Sequence, residues 1–62
     1  MIGPYRTTSG VTYFNAKSIS CLVYDAANDN THVHVCSGSI FTMKQTQSEF
    51  KIFRERVENA SE

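Results

Sequence analysis

Two Ser-Gly dipeptides, Ser9-Gly10 and Ser37-Gly38, each stand between short runs rich in Thr, Val, Ile, Tyr and Phe. β-Branched and aromatic side chains suit a pleated strand, and a glycine-bearing two-residue link between such runs signals a hairpin. The first hairpin joins residues 5–8 to 11–15, and the second joins 31–36 to 39–44. Between them, residues 18–25 carry Ile19, Leu22, Val23 and Tyr24, and the polar stretch Ala26-Ala27-Asn28-Asp29-Asn30 forms the loop into the next strand. Five strands with such short links make an antiparallel meander or a small barrel.

A helix over residues 47–59 closes the chain. Thr46-Gln47-Ser48-Glu49 fits a capping box, in which Thr46 and Glu49 satisfy each other's exposed backbone donors. Phe50, Phe53, Val57 and Ala60 then recur at helical spacing and form one stripe. Arg54 with Glu58, and Lys51 with Glu55, stand four residues apart, and each such pair contributes about 0.2–0.5 kcal/mol. The stripe has to dock, because so short a helix is marginal in water. The fold class is α+β, predominantly β, in a single small domain over residues 1–62.

A domain this small buries about 60% of its unfolded surface and is marginal alone. Disulfides, a metal, oligomerisation or exceptional packing usually make up the difference. Two cysteines, Cys21 and Cys36, are too few for a disulfide framework. The start, Met1-Ile2-Gly3-Pro4-Tyr5-Arg6, lacks the basic and apolar regions of an export signal. A cytoplasmic location with reduced thiols is the expectation. No run approaches 18 apolar residues, so no membrane span is expected.

Formal net charge is zero, from six basic and six acidic residues. Arg6, Lys17 and Lys44 are scattered, while Lys51, Arg54 and Arg56 lie among Glu49, Glu55, Glu58 and Glu62. A phosphate track needs clustered cations, so general nucleic-acid binding is disfavoured.

Strand side chains alternate between two faces. A two-residue turn at Ser37-Gly38 sets Val35 opposite Ile40 and His34 opposite Phe41. One face then collects Ile19, Cys21, Val23, Val33, Val35, Ile40 and Thr42. The other collects Leu22, Tyr24, His32, His34, Cys36, Phe41 and Met43. A slip of one residue exchanges the faces. In either register both carry several large apolar groups, and one helical stripe covers only one of them. Ile52 lies off the stripe. Burying a large apolar side chain is worth about 1.5–3 kcal/mol, so a second bare face calls for closure into a barrel or for a companion. Leu22, Tyr24, His34, Phe41, Met43 and Ile52 form the expected interaction surface, with a homo-oligomer favoured and a protein partner as the other occupant.

His32-Val33-His34-Val35-Cys36 places two imidazoles and a thiol on one side of a strand. These atoms suit zinc or another transition metal, which makes His32, His34 and Cys36 the candidate ligands. Ligands two apart on a strand lie nearly 7 Å apart, however, and a closed site needs help from elsewhere. The plainer account packs the imidazoles beside Phe41 and Tyr24, with no metal and no cofactor. Cys36 or Cys21 with His34 and Asp25 would make a nucleophile, base and orienter, but a small sheet with one helix has little room for a substrate pocket. No catalytic motif is present, and the chain reads as non-enzymatic. Tyr5, Tyr13, Phe14, Tyr24 and Phe41 offer rings on which bases stack, yet without interleaved cations they read better as core.

The order of these features resembles a known family. Gly10, Tyr13-Phe14-Asn15 and Ile19 are followed by Thr31-His32-Val33-His34-Val35, Gly38, Phe41 through Lys44, and Glu49 at a helix start. This is similar to the short bacterial FlbD-like flagellar proteins, across residues 6–57. The Asn-Asp-Asn loop and the His-x-His-x-Cys segment depart from that pattern. The resemblance implies no catalytic residues and a small regulatory or assembly role; a phage or mobile-element origin fits equally. The expected function is a non-enzymatic interaction or regulatory module that acts by protein binding as a homo-oligomer. The alternative is a small-ligand or nucleic-acid binder that uses the aromatic and histidine sheet face.

Overall fold

The computed structural model describes residues 1–61. Strands β1 (Ile2–Thr7) and β2 (Gly10–Phe14) lead through a 3₁₀ turn (Ala16–Ser18) to β3 (Ile19–Asp25), β4 (Asn30–Val35) and β5 (Ile40–Lys44). Helix α1 (Gln47–Ala60) ends the chain. All pairings are antiparallel, with β1-β2 forming one sheet and β3-β4-β5 the other. This is the predominantly β, α+β architecture expected from the turn spacing.

The first hairpin sits one residue earlier than the sequence suggests. Thr7 opposes Gly10, so the link is Thr8-Ser9, and Gly10 opens β2 at φ +113°. Thr7 Oγ1 donates to the Gly10 carbonyl at 2.8 Å and accepts from the Ser9 amide at 3.1 Å, which ties the link together. β1 also begins earlier, at Ile2. Its register shifts between Ile2 and Tyr5, so Pro4 falls in an irregular stretch where a missing ladder donor is tolerated.

The second hairpin carries a larger correction. Val35 N–H donates to Ser39 at 3.1 Å, and Gly38 N–H donates to Val35 at 3.0 Å, which makes a three-residue link, Cys36-Ser37-Gly38. Gly38 lies at φ +99°, where only glycine is comfortable, as three-residue hairpins require. His34 therefore opposes Ile40, and Val33 opposes Phe41. At the other end of β4, Asp25 opposes Asn30 rather than Thr31. Both differences move β4 by one residue, and a one-residue slip turns over every side chain of a strand. The assignments of Cys21 to Tyr24 in β3 and those of β5 hold, whereas those of β4 are exchanged and Ile19, beyond the irregularity in β3, opposes Val35 and packs on the core side.

The inner face thus holds Leu22, Tyr24, Thr31, Val33, Val35, Phe41 and Met43. Thr31 and Val33 are wholly buried, and Met43 nearly so. Helix α1 lies on this side, against β1, β3 and the 3₁₀ turn. Its capping box is formed, with Glu49 N–H donating to Thr46 Oγ1 at 3.3 Å and Thr46 N–H to Glu49 Oε1 at 2.9 Å. Phe53 and Val57 of the stripe are buried, whereas Ala60 is exposed. Phe53 meets Tyr5 edge-on at 4.9 Å and Phe14 at 5.9 Å, and Phe14 meets Phe41 at 5.5 Å. Phe50 stacks on Tyr24 at 5.2 Å. Among the described residues Arg54 and Glu58 form an ion pair at 3.4 Å, and Lys51 and Glu55 do not. One backbone bond, Thr8 N–H to the Thr42 carbonyl at 3.0 Å, sets β1 beside β5 and joins the two sheets.

Phe53→Ala is expected to cost about 3–5 kcal/mol, because it removes a fully buried ring that packs against Tyr5 and Phe14 in the core. Ile52→Ala, one residue away but 53% exposed, should cost less than about 0.5 kcal/mol. Urea unfolding of both variants checks the contrast; equal losses would contradict this packing. Thr31 Oγ1 is buried without a hydrogen-bond partner. Thr31→Val keeps the shape and removes the unpaired hydroxyl, so the unfolding midpoint should rise, by about 1 kcal/mol in stability.

Candidate functional site

The surface that the helix leaves open is the outer face of β3-β4-β5. The observed register arranges it as three rows across the strands: Asp25, Asn30, Lys44; then Val23, His32, Thr42; then Cys21, His34, Ile40. Val23 is 46% exposed and Ile40 54% exposed, so two aliphatic side chains stand diagonally among polar neighbours. His32 Nδ1 and Thr42 Oγ1 are 3.0 Å apart and share a hydrogen bond. Ser20 Oγ donates to the His34 carbonyl at 3.0 Å, at the irregular point of the β3 register.

The residues expected to form one interaction surface are dispersed. Leu22, Tyr24, Phe41 and Met43 face the helix, and Met43 is too deeply buried to meet a partner. His34 lies on the opposite side of the sheet. Ile52 is exposed on α1, beside a groove of about 180 Å³ bounded by Tyr5, Gln45, Glu49, Phe53 and Arg56. The aromatic and histidine face therefore does not exist as one surface: Tyr24 and Phe41 are inside, His32 and His34 outside. Tyr5 and Phe14 also belong to the core cluster, while Tyr13 is exposed on β2.

The candidate metal ligands fare similarly. Cys36 lies in the turn rather than on β4, exposed, with its N–H donating to the Ser18 carbonyl at 2.7 Å. Cys21, expected on the far face, stands opposite His34 instead. Among the described residues no three His, Cys, Asp or Glu side chains stand together as a metal-holding group.

The loop beside the first row is organised by two carboxylates. Asp25 accepts from the Ala27 N–H at 3.1 Å and from Asn28 Nδ2 at 2.9 Å. The Asn28 amide, above all, holds the Asp25 carboxyl below its ordinary range, with backbone donors and nearby His32 acting in the same direction. Asp29, at φ +52°, accepts a 2.7 Å hydrogen bond from the Tyr24 hydroxyl, and that bond raises the Tyr24 pKa. The Gln45 N–H closes the loop on the Asp29 carbonyl at 2.9 Å.

Val23 and Ile40 were not singled out as surface residues by sequence, because the misplaced β4 made their face look like a candidate core. The length of the second turn was the missing signal. No family model, curated protein or solved structure matches this chain. Among the described residues no helix is long and apolar enough to cross a membrane.

Asp25's folded pKa lies below its unfolded value, so its contribution to stability is present above the unfolded value and lost as pH falls through the folded one. An NMR titration should place the Asp25 midpoint below that of an ordinary aspartate. Asn28→Ala should return it toward the ordinary range; an unchanged midpoint would mean that the amide is not its cause.

Proposed function

We propose that the protein is a non-enzymatic interaction module that self-associates through the outer face and free edge of the β3-β4-β5 sheet. The observation that carries this reading is the half-exposure of Val23 on the outer face of β3, beside the free edge of the sheet. β3 is an edge strand, and Ile19 to Tyr24 contain neither charge nor proline. Edges of this kind present unpaired backbone groups, and proteins that avoid pairing usually guard them with lysine, proline or a bulge. β3 has only the irregularity beside Ser20. Two copies related by a two-fold axis can align β3 with β3 antiparallel, a self-complementary contact.

A standard interface takes about 800 Å² from each partner, about a fifth of the 4151 Å² accessible surface. Edge pairing of β3 brings the two copies of Val23 together on the outer face, while Ile40, two strands away on β5, stays outside that contact. The FlbD-like resemblance, with its small regulatory or assembly role, belongs to this proposal, as does a cytoplasmic setting. In this reading the function rests on binding.

Light scattering after gel filtration should give twice the 7.0 kDa chain mass at high micromolar concentration. Val23→Glu should return the monomer mass with the fold unchanged by circular dichroism, because the new carboxylate would have to be buried at the contact. A monomer at every concentration, or a dimer indifferent to Val23→Glu, would overturn the proposal.

A further inference from the structure

The seam between the two sheets holds a second feature, independent of self-association. Beside the Thr8–Thr42 backbone bond lies a cleft of about 280 Å³, lined by Arg6, Thr7, Thr8, Thr42 and Lys44. We propose that this cleft binds a phosphate group carried by a small molecule.

The lining contains two cations and no carboxylate. Arg6 and Lys44 come from different strands, and among the described residues neither forms an ion pair. The nearest acid in the sheet rows, Asp25, is separated from Lys44 by Asn30 and is engaged by Ala27 and Asn28. Both cationic residues are exposed at the rim of the same cleft, and an anion bound there would be attracted to both. The guanidinium fork of Arg6 suits paired phosphate oxygens, and the Lys44 ammonium adds a compact point charge.

The hydroxyls extend the donor set. Thr7 Oγ1 is committed to the Gly10 carbonyl and serves only as wall. Thr8 is exposed in the link, and Thr42 Oγ1 is bound to His32 Nδ1. When Thr42 donates its O–H to a ligand oxygen, its own oxygen accepts from His32, which places the proton on Nδ1. His32 thereby reports occupancy of a cleft it does not line.

The cleft lies at the lower end of small-molecule pocket volumes, room for one phosphate and a short organic body. A polymer would need a continuing run of cations. The remaining ones, Lys17, Lys51, Arg54 and Arg56, belong to the 3₁₀ turn and the helix, so the cleft favours a small ligand.

The test is an NMR titration of the ¹⁵N-labelled full chain with inorganic phosphate and, separately, with glycerol phosphate, at constant ionic strength in chloride. Saturable shifts confined to Arg6, Thr8, Thr42 and Lys44 amides, with a change at His32 Nδ1, are expected. Tighter binding of the ester identifies an organic phosphate; equal binding identifies the free ion as the source. Arg6→Gln and Lys44→Gln should each weaken binding about tenfold, as loss of one charge-assisted contact implies, and Lys51→Gln should not. Arg6→Lys, which retains the charge, should restore part of the affinity and guards against a folding artefact in Arg6→Gln. Shifts that fail to saturate, that spread to Lys17 and Lys51, or that survive both glutamine substitutions would overturn the proposal. Val23→Glu should bind phosphate normally, which separates this outcome from that of the dimer.

Discussion

The fold depends on the seating of Phe53. A short capped helix, a two-stranded hairpin and a three-stranded sheet are each marginal as isolated pieces. Phe53 is 1% exposed and touches Tyr5 and Phe14 of the hairpin, while Phe14 in turn meets Phe41 of the larger sheet. One helical side chain therefore couples all three units. At about 0.05–0.15 kcal/mol per residue, a chain of 62 residues has a net stability of about 3–9 kcal/mol. Burial of one large ring, about 1.5–3 kcal/mol, is a substantial part of that margin. The capping box and the Phe50–Tyr24 stack fix where the helix begins, which determines where Phe53 lands.

The elements were legible from the sequence because their signals are local. Thr46 and Glu49 announce the helix start, the stripe announces its buried side, and the two glycines locate the hairpins. Link length is a different kind of information. Ser37-Gly38 marks a turn but does not say whether Cys36 belongs to it, and strand periodicity converts that single residue into an inversion of β4. The sequence of β4 held the corrective. Thr31, Val33 and Val35 alternate with His32 and His34, and facing the β-branched set inward leaves the imidazoles in water. Treating the turn as two residues overrode that simpler burial preference.

The inversion also accounts for the dispersal of the expected site. With His32 and His34 placed beside Tyr24 and Phe41, a mixed aromatic and imidazole face suggested ligands and metals. The observed sheet separates them: rings and thioether against the helix, imidazoles with Thr42 and Cys21 outside. The proximity of the two scattered cations is hidden in the sequence for another reason. Arg6 and Lys44 are 38 positions apart, and only the non-local contact of β1 with β5, through Thr8 and Thr42, brings them to one cleft. No periodicity within a single element carries that kind of proximity.

The same correction changes the energetics of association. The apolar surplus on the open face consists of Val23 and Ile40, each already about half covered. In the proposed edge-paired dimer, completing the burial of the two copies of Val23 would yield about 1.5–3 kcal/mol, from half of the full value for each. Bringing two molecules together costs an estimated 4 kcal/mol or more in lost translational and rotational freedom. Aliphatic contact alone therefore does not hold a dimer. The remainder has to come from directed interactions, and the uncharged edge of β3 supplies backbone donors and acceptors for them. In the proposed dimer, edge pairing would set the register, and Val23 would then discriminate a covered face from an open one.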